Sequence, residues 1–333
     1  MAKIRVAIQG FGRIGRRVAR LILEDERFEW VGINDPADAE TLAHLFRFDS
    51  IHGRLPYPCE VIDGQLHVNG QIIPITHSTT PQACNWQAMQ PDWVLECSGK
   101  FKDADALEGH LQAGAKRVLL SVPPEDERIP MAVYGITDMS PLRHIRILSN
   151  ASCTTNNAAP MIALLDELMG IESCYITTVH SYTTDQRLVD SPHRDGRRGR
   201  SALQSIIPTS TGAAKAITRI FPHLADRIGG CGMRVPIPNG SLTDITCMVR
   251  RSMTTEQVND AFQRAADSRF SGILEYTSDP LVSADIIGNT HSCVFDSALT
   301  SVIGHMVKVV GWYDNESGYS QRMLDIMCEL QRS

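Results

Sequence analysis

The sequence predicts an α/β chain: a doubly wound parallel sheet in its first half, followed by an α+β half built on a mixed or antiparallel sheet. Three observations carry this. The first 150 residues alternate short apolar runs with helical periodicity. A glycine-rich turn directly follows the first of those runs. Beyond residue 150 the apolar runs lengthen and fewer helices separate them. Repeated strand–helix–strand units imply parallel strands covered on both faces, because each crossover lays its helix over the sheet.

Taken in order, RVAIQG, WVGIND, DWVLECSG, AKRVLLSV, AVYGI and IRILSN read as strands, and most lack the alternation of a half-exposed sheet. Between the first two, in GRIGRRVARLILED, Ile14, Val18, Leu21 and Ile22 share one helical face. In the second half CYITTVHSYT, SLTDITCMVRR and TSVIGHMVKVVGWYD read as longer strands. In TTEQVNDAFQRAAD, Thr254 and Gln257 have capping-box spacing, and Val258, Phe262 and Ala265 form a buried stripe. Tyr319, Met323, Ile326 and Leu330 mark a closing helix. The expected division is a first domain over 1–151, a second over 152–314, and a C-terminal helix over 315–333 that packs back on the first.

Composition narrows the class. The net charge of −6 excludes a globally basic nucleic-acid binder. No apolar run approaches the ~20 residues of a membrane span, and no signal peptide is expected, since MAKIRVAIQG enters a strand pattern at once. Nine cysteines at irregular spacing, with no CxxC pair, fit neither a disulfide framework nor a zinc site, so no metal is expected. A reducing cytoplasm is the simplest compartment.

In IQGFGRIG, Gly10, Gly12 and Gly15 follow the GxGxxG pattern between a strand and a helix. Such glycines permit a tight turn and bring a pyrophosphate close to the helix N-terminus, as in Rossmann-type folds. Asp35 ends the second strand about 20 residues further on, where a carboxylate accepts hydrogen bonds from ribose hydroxyls and repels a 2′-phosphate. The cofactor expected is NAD. The competing reading is a glycine-rich structural turn.

SNASCTTNNAAP places Cys153 where a strand gives way to a helix running into MIALLDELM. Unpaired N–H groups and the positive end of the helix dipole favour a thiolate there. Ser152 stands at the N-cap position, and TTNNAA adds no competing charge. Among 11 histidines the best-placed base is His180, which ends the run YITTVH before a polar loop. The competing reading of such a pair is core packing. The other eight cysteines read as small core residues or inert thiols.

The order of GFGRIGR, FDSIHG, ECSGKF, SNASCTTN, TTVHSYTTDQR, STGAAKA, RVPIPN and WYDNESGY resembles, over the whole chain, the phosphorylating glyceraldehyde-3-phosphate dehydrogenase family. Erythrose-4-phosphate dehydrogenase is a close relative sharing most of these motifs. The resemblance implies a Rossmann-type domain and an α+β catalytic domain, with Cys153 as nucleophile and His180 as its base. It implies that Thr183, Asp185 and Arg234 bind the substrate phosphate. It assigns the attacking phosphate to Ser152, Thr211, Gly212 and an arginine of RRGR, with Arg198 favoured and Arg197 and Arg200 as alternatives, and counts Thr154 among the substrate- or phosphate-binding residues. The Asn315 amide is expected on the nicotinamide carboxamide and the Tyr319 ring near the nicotinamide, although Tyr319 also suits the core face of the last helix. Arg13 and Ile14 would supply backbone near the pyrophosphate, and Ser98 and Ser121 occupy positions that contact the cofactor. The substrates implied are a phosphorylated aldehyde and inorganic phosphate, and the assembly implied is a homotetramer in which residues 181 to 208 border a neighbour's cofactor site. HRDGRRGR also reads as a solvated basic loop; with Asp195 inside it and no aromatics, nucleic acid is not the expected partner.

The chain departs from the family pattern at four places. Asn157 stands where a second cysteine is common, and THSTTPQACNW lacks an arginine that many members place near the adenine. Gly240 replaces a β-branched residue, which predicts a loosened strand, and Pro36 follows Asp35 where leucine is common. Two other readings compete with the triose enzyme: a tetrose-phosphate dehydrogenase using water as acyl acceptor, and a non-catalytic binding protein on the same fold. An intact Cys153/His180 pair argues against the latter.

Overall fold

A computed structural model describes residues 2–331 and divides the chain into two compact units. One contains the described residues up to Tyr134, Asp138–Ala151, and those from Ser320 onward; the other contains Gly135–Thr137 and Ser152–Tyr319. The segment expected from Asn315 is therefore shared, with Asn315–Tyr319 in the second unit. Met1, Arg332 and Ser333 lie outside the described residues. No helix among those described is long and apolar enough to cross a membrane.

The first unit begins with β1 (Ile4–Gln9), α1 (Arg13–Leu23), β2 (Phe28–Asn34) and α2 (Ala39–Arg47). A hairpin of β3 (Phe48–Asp49) and β4 (Gly53–Arg54) follows, then a small antiparallel sheet of β5 (Cys59–Ile62), β6 (Gln65–Val68) and β7 (Gln71–Ile73). The unit continues through β8 (Ile75–Thr76), α3 (Trp86–Met89), β9 (Trp93–Glu96), α4 (Ala104–Gln112), β10 (Arg117–Leu120) and β11 (Ile147–Ser149). Six strands form one parallel sheet in the order β11-β10-β9-β1-β2-β8. Val6, Ile8, Val94, Leu95, Val118 and Leu120 are fully buried in it, as non-alternating strands require. AVYGI is not a strand: residues 134–136 turn, and pairing survives as an isolated Met131–Ser149 bridge. A short apolar run alone does not distinguish a strand from a packed loop.

The second unit opens with α5 (Cys153–Met169), β12 (Ile171–Ser181), β13 (Ile207–Thr209), α6 (Ala213–Ile220), β14 (Ile228–Val235) and β15 (Ser241–Val249). It ends with α7 (Thr255–Ala266), β16 (Leu274–Thr277), β17 (Cys293–Asp296), β18 (Ser301–Ile303), β19 (Met306–Tyr313) and the start of α8 (Ser317–Gln331). Its sheet runs β13-β14-β12-β15-β19-β17-β16, with β18 paired to β19. The sheet is mixed: β12 pairs β14 in parallel and β15 antiparallel. TSVIGHMVKVVGWYD is thus a hairpin, broken at Gly304–His305, rather than one strand. The capping box of Thr254 and Gln257 is formed, with Val258, Phe262 and Ala265 buried, and Phe262 stacks on Phe295 with ring centroids 4.0 Å apart. In the parallel pair His180 lies opposite Arg234, so strand register alone brings a base beside a cation.

Candidate active site

Ser152 caps α5, its hydroxyl accepting from the Thr155 N–H at 3.0 Å. Cys153 is the first helical residue, and the backbone N–H groups of Thr154 and Cys153 face its sulfur. Ala151, fully buried just upstream, holds φ +53, an uncommon value for a residue with a Cβ. Cys153 Sγ lies 3.5 Å from His180 Nε2. His180 Nδ1 lies 2.7 Å from the Ser181 carbonyl oxygen and 2.7 Å from Arg234 Nη1, which is itself 3.0 Å from that oxygen. One ring nitrogen cannot donate to a carbonyl and accept from a guanidinium at once. We assign the proton to Nδ1, donating to Ser181 O beside the Arg234 donor; Nε2 is then the acceptor facing the thiol.

The electrostatics set burial against the helix amides. Packing pushes the Cys153 thiol above its ordinary range, more than Arg234 and the Thr154 and Cys153 amides pull it down. Burial, reinforced by Arg234, lowers His180 to about 3. The helix amides are in place, but burial outweighs them.

Arg234 is itself lowered by burial, and feels Cys153, Arg198 and Asp185. Arg198 forms an ion pair with Asp185 and a second with Asp195 at 3.4 Å. Arg198 is partly buried, whereas Arg197 is exposed and Arg200 pairs with Asp190 at the surface, 2.8 Å away. Thr183 is partly exposed; its N–H donates to Gln186 Oε1 at 3.2 Å, and the buried Gln186 Nε2 lacks a partner. Thr211 Oγ1 accepts from the Ala213 N–H, and Gly212 opens α6 with open space where a side chain would stand. Thr154 is placed differently from its expected role: it is buried and its hydroxyl is 2.9 Å from Tyr313 OH.

In the first unit, Gln9, Gly10, Gly12, Asp35, Thr79 and Ser98 line a cleft of about 290 Å³. Gly10 has φ +83, and a Cβ there would stand 2.6 Å from the Ser98 backbone, so no side chain fits. Gly12 caps α1 without a side-chain hydrogen bond, and the first turn carries no acid. That helix end suits a pyrophosphate. Asp35 is fixed by two amides, Phe11 N–H on Oδ2 at 2.8 Å and Ala37 N–H on Oδ1 at 3.0 Å, leaving lone pairs for a ribose diol. Phe11, locked against Trp30 and Phe46, holds the loop. These residues fit NAD. Arg13 turns its side chain to Asp49 at 2.6 Å, which leaves Ile14 and its neighbours only backbone to offer. Gly15 packs on the Gly10 carbonyl, and Ser121 is buried at the end of β10. Where the adenine-side arginine is lacking, His77 Nδ1 lies 2.9 Å from the Asp35 carbonyl.

Asn315 and Tyr319 are buried at the start of the last helix. Asp314 Oδ1 accepts from the Glu316 and Ser317 N–H groups, and Oδ2 from the Gly288 N–H. Several contributors escaped the sequence reading. Tyr313 OH joins Thr154 and Thr178, each at 2.9 Å, and its ring stands edge-on to His180 at 6.0 Å; its place inside WYDNESGY was the available signal. Glu96, fully buried, accepts from Ser98 N–H and Ser98 Oγ–H and lies 3.0 Å from His110 Nε2, while Trp86 Nε1–H donates to His110 Nδ1. Nothing in the sequence links those residues. Asn157 Nδ2 reaches the carbonyls of Ser292, Gly311 and Trp312, pinning α5 to β19. Gly240 does not loosen a strand: it holds φ +83 in the turn before β15, and a Cβ there would sit 2.3 Å from the Ser283 carbonyl oxygen. Among the described residues no group of three or more His, Cys, Asp or Glu is placed to hold a metal.

Residues 4–104 match the family model described as "Glyceraldehyde 3-phosphate dehydrogenase, NAD binding domain", and residues 152–315 match "Glyceraldehyde 3-phosphate dehydrogenase, C-terminal domain". Glyceraldehyde-3-phosphate dehydrogenase 2 of Bacillus subtilis (strain 168) is 47% identical over 330 residues, covering 98% of this chain and 96% of the relative. The glyceraldehyde-3-phosphate dehydrogenase of Kitasatospora aureofaciens is 47% identical over 324 residues, covering 97% and 98%. That of Geobacillus stearothermophilus is 45% identical over 324 residues, covering 97% of each. With its thiol, imidazole and dinucleotide cleft on those two domains, the chain belongs to the glyceraldehyde-3-phosphate dehydrogenase family.

Proposed function

We propose that this protein oxidises glyceraldehyde 3-phosphate with NAD and inorganic phosphate, yielding 1,3-bisphosphoglycerate through a thioester on Cys153. The observation that carries the proposal is the Cys153 Sγ–His180 Nε2 approach of 3.5 Å at a helix N-terminus, with Arg234 alongside. Cys153 Sγ bonds to the aldehyde carbon, and its proton passes through His180 Nε2 to the carbonyl oxygen, giving a thiohemiacetal. The Cys153 N–H and His180 stabilise that oxygen while it carries charge. NAD, when bound, supplies the acceptor for the hydride that leaves the substrate carbon. His180 Nε2 takes the hydroxyl proton in the same step, which makes the thioester. Phosphate oxygen then bonds to the acyl carbon, the C–S bond breaks, and Cys153 recovers the proton from His180.

Arg234 and Thr183 hold the substrate phosphate, with Asp185 beside them; Arg198, Ser152, Thr211 and Gly212 hold the attacking one. Forked guanidinium groups, hydroxyls and backbone N–H groups suit phosphate oxygens. We place the enzyme in the cytoplasm, where its nine free thiols persist, and as a homotetramer. Exposed Leu188, Val189 and Ile206 on the long segment between β12 and β13 support assembly.

The test compares kcat/KM for glyceraldehyde 3-phosphate and erythrose 4-phosphate, with NAD or NADP, with and without phosphate. Phosphate-dependent NADH formation with the triose is expected. A preference for the tetrose without need of phosphate would overturn the substrate and the phosphate-site assignments together.

A further inference from the structure

We infer that Ser181 and Ser241 are positioning residues that lock the Asn315 side-chain amide in one orientation, with its oxygen inward and its N–H donors outward. The site thereby selects a ligand carbonyl oxygen rather than a ligand amide donor. This rests on the proposed reading, in which Asn315 meets the nicotinamide carboxamide.

The lock follows from counting hydrogens. Ser181 Oγ and Ser241 Oγ both reach the same Asn315 atom, Oδ1, at 2.9 and 3.0 Å. Ser181 and Ser241 are buried, at 0% and 1% exposure, so neither hydroxyl hydrogen has water as an alternative acceptor. Ser241 Oγ already accepts from the Ser181 N–H at 3.2 Å, so its own hydrogen must go elsewhere. An amide nitrogen in place of Oδ1 would leave both hydroxyl hydrogens without an acceptor, and buried donors left that way are strongly disfavoured. Oxygen therefore occupies the inner position. Asn315 Nδ2 then carries two N–H groups with no hydrogen-bond acceptor among the described protein residues, so both remain available to an acceptor on the ligand.

Backbone registers hold the device in place. Ser181 ends β12 directly after His180, and Ser241 opens β15 opposite Tyr313 of β19, two residues before Asn315. Ser181 thus serves two ends of the reaction. Its carbonyl oxygen receives the His180 and Arg234 donors, which fixes the base, while its hydroxyl fixes the cofactor-side amide. Asp314, held by three amides, fixes the backbone from which Asn315 extends.

The test uses the full-length enzyme with NAD and with its 3-acetylpyridine analogue, which keeps the carbonyl oxygen but lacks the amide nitrogen. Without the serine hydroxyls the Asn315 amide can flip. NAD has a donor to meet the flipped oxygen, and the analogue has none. In a Ser181→Ala/Ser241→Ala variant the ratio of analogue KM to NAD KM should rise at least about twofold over wild type, because the competent orientation falls to half the population or less. A merely structural role would move both cofactors equally. An unchanged ratio with an unchanged NAD KM overturns the lock, as does an equal weakening of both. If the double variant does not fold, Asn315→Asp decides: it accepts from both serines but offers no donor, so NAD KM should rise about tenfold or more, and a wild-type KM overturns the inference. Failure of the wild-type enzyme to bind NAD would count against the proposed function, not against the lock.

Discussion

His180 carries the largest electrostatic consequence at the residue scale. Its folded value of about 3 lies below the ordinary histidine range, because burial and Arg234 both penalise the imidazolium. The unfolded chain therefore binds a proton that the folded chain refuses, and the sign of the pH dependence follows. The stability that His180 contributes as a neutral group is complete above pH 6.5 and is lost progressively as pH falls from 6.5 toward 3. Urea midpoints at pH 7 and pH 4.5 should fall further apart for wild type than for His180→Gln. Equal differences would show that the imidazole is not held neutral by burial. Cys153 stood out at its junction and His180 at the end of its strand, but the family resemblance was what paired them; the fold brings Sγ and Nε2 to 3.5 Å. How burial shifts the two groups was not legible, because burial is a property of what packs around a group. The same reason hid Ser181, Ser241 and Tyr313: a serine or tyrosine in a strand carries no sign of the atom it will face.

Elements were readable where a pattern extends over many residues. The parallel strands, α1, α7 and the last helix follow from apolar periodicity and from a capping box. Short pieces were not. The β5–β7 sheet has strands of three or four residues that mix polar with apolar side chains, so no continuous apolar run marks them as one does the equally short β9 and β10. AVYGI failed in the opposite sense, since so short an apolar run also suits a packed loop. Gly240 was misjudged because its local neighbourhood reads as strand, whereas a left-handed backbone and the nearby Ser283 carbonyl decide the matter. Gly240→Ala should lower stability by about 1–3 kcal/mol, the range for a strained backbone position, with urea denaturation as the measurement. A neutral result would mean that the turn relaxes without strain, and the departure from the family pattern would lose its structural reason.

Across the whole molecule, division into a dinucleotide unit and a thiol unit was legible from the change in texture near residue 150 and from motifs that fall in family order. The connections among Glu96, His110 and Trp86 were not, since those residues meet only through the fold. Covalent chemistry at Cys153 makes one demand on the complete enzyme: oxidation and phosphorolysis must separate. The most direct measurement mixes enzyme with glyceraldehyde 3-phosphate and excess NAD in the absence of phosphate, following NADH in a stopped-flow instrument. The account predicts a rapid burst of about one NADH per active site, then near-arrest until phosphate is added, and no burst in Cys153→Ser. Continuous turnover at the burst rate without phosphate, or a burst in the serine variant, would contradict the thioester on Cys153.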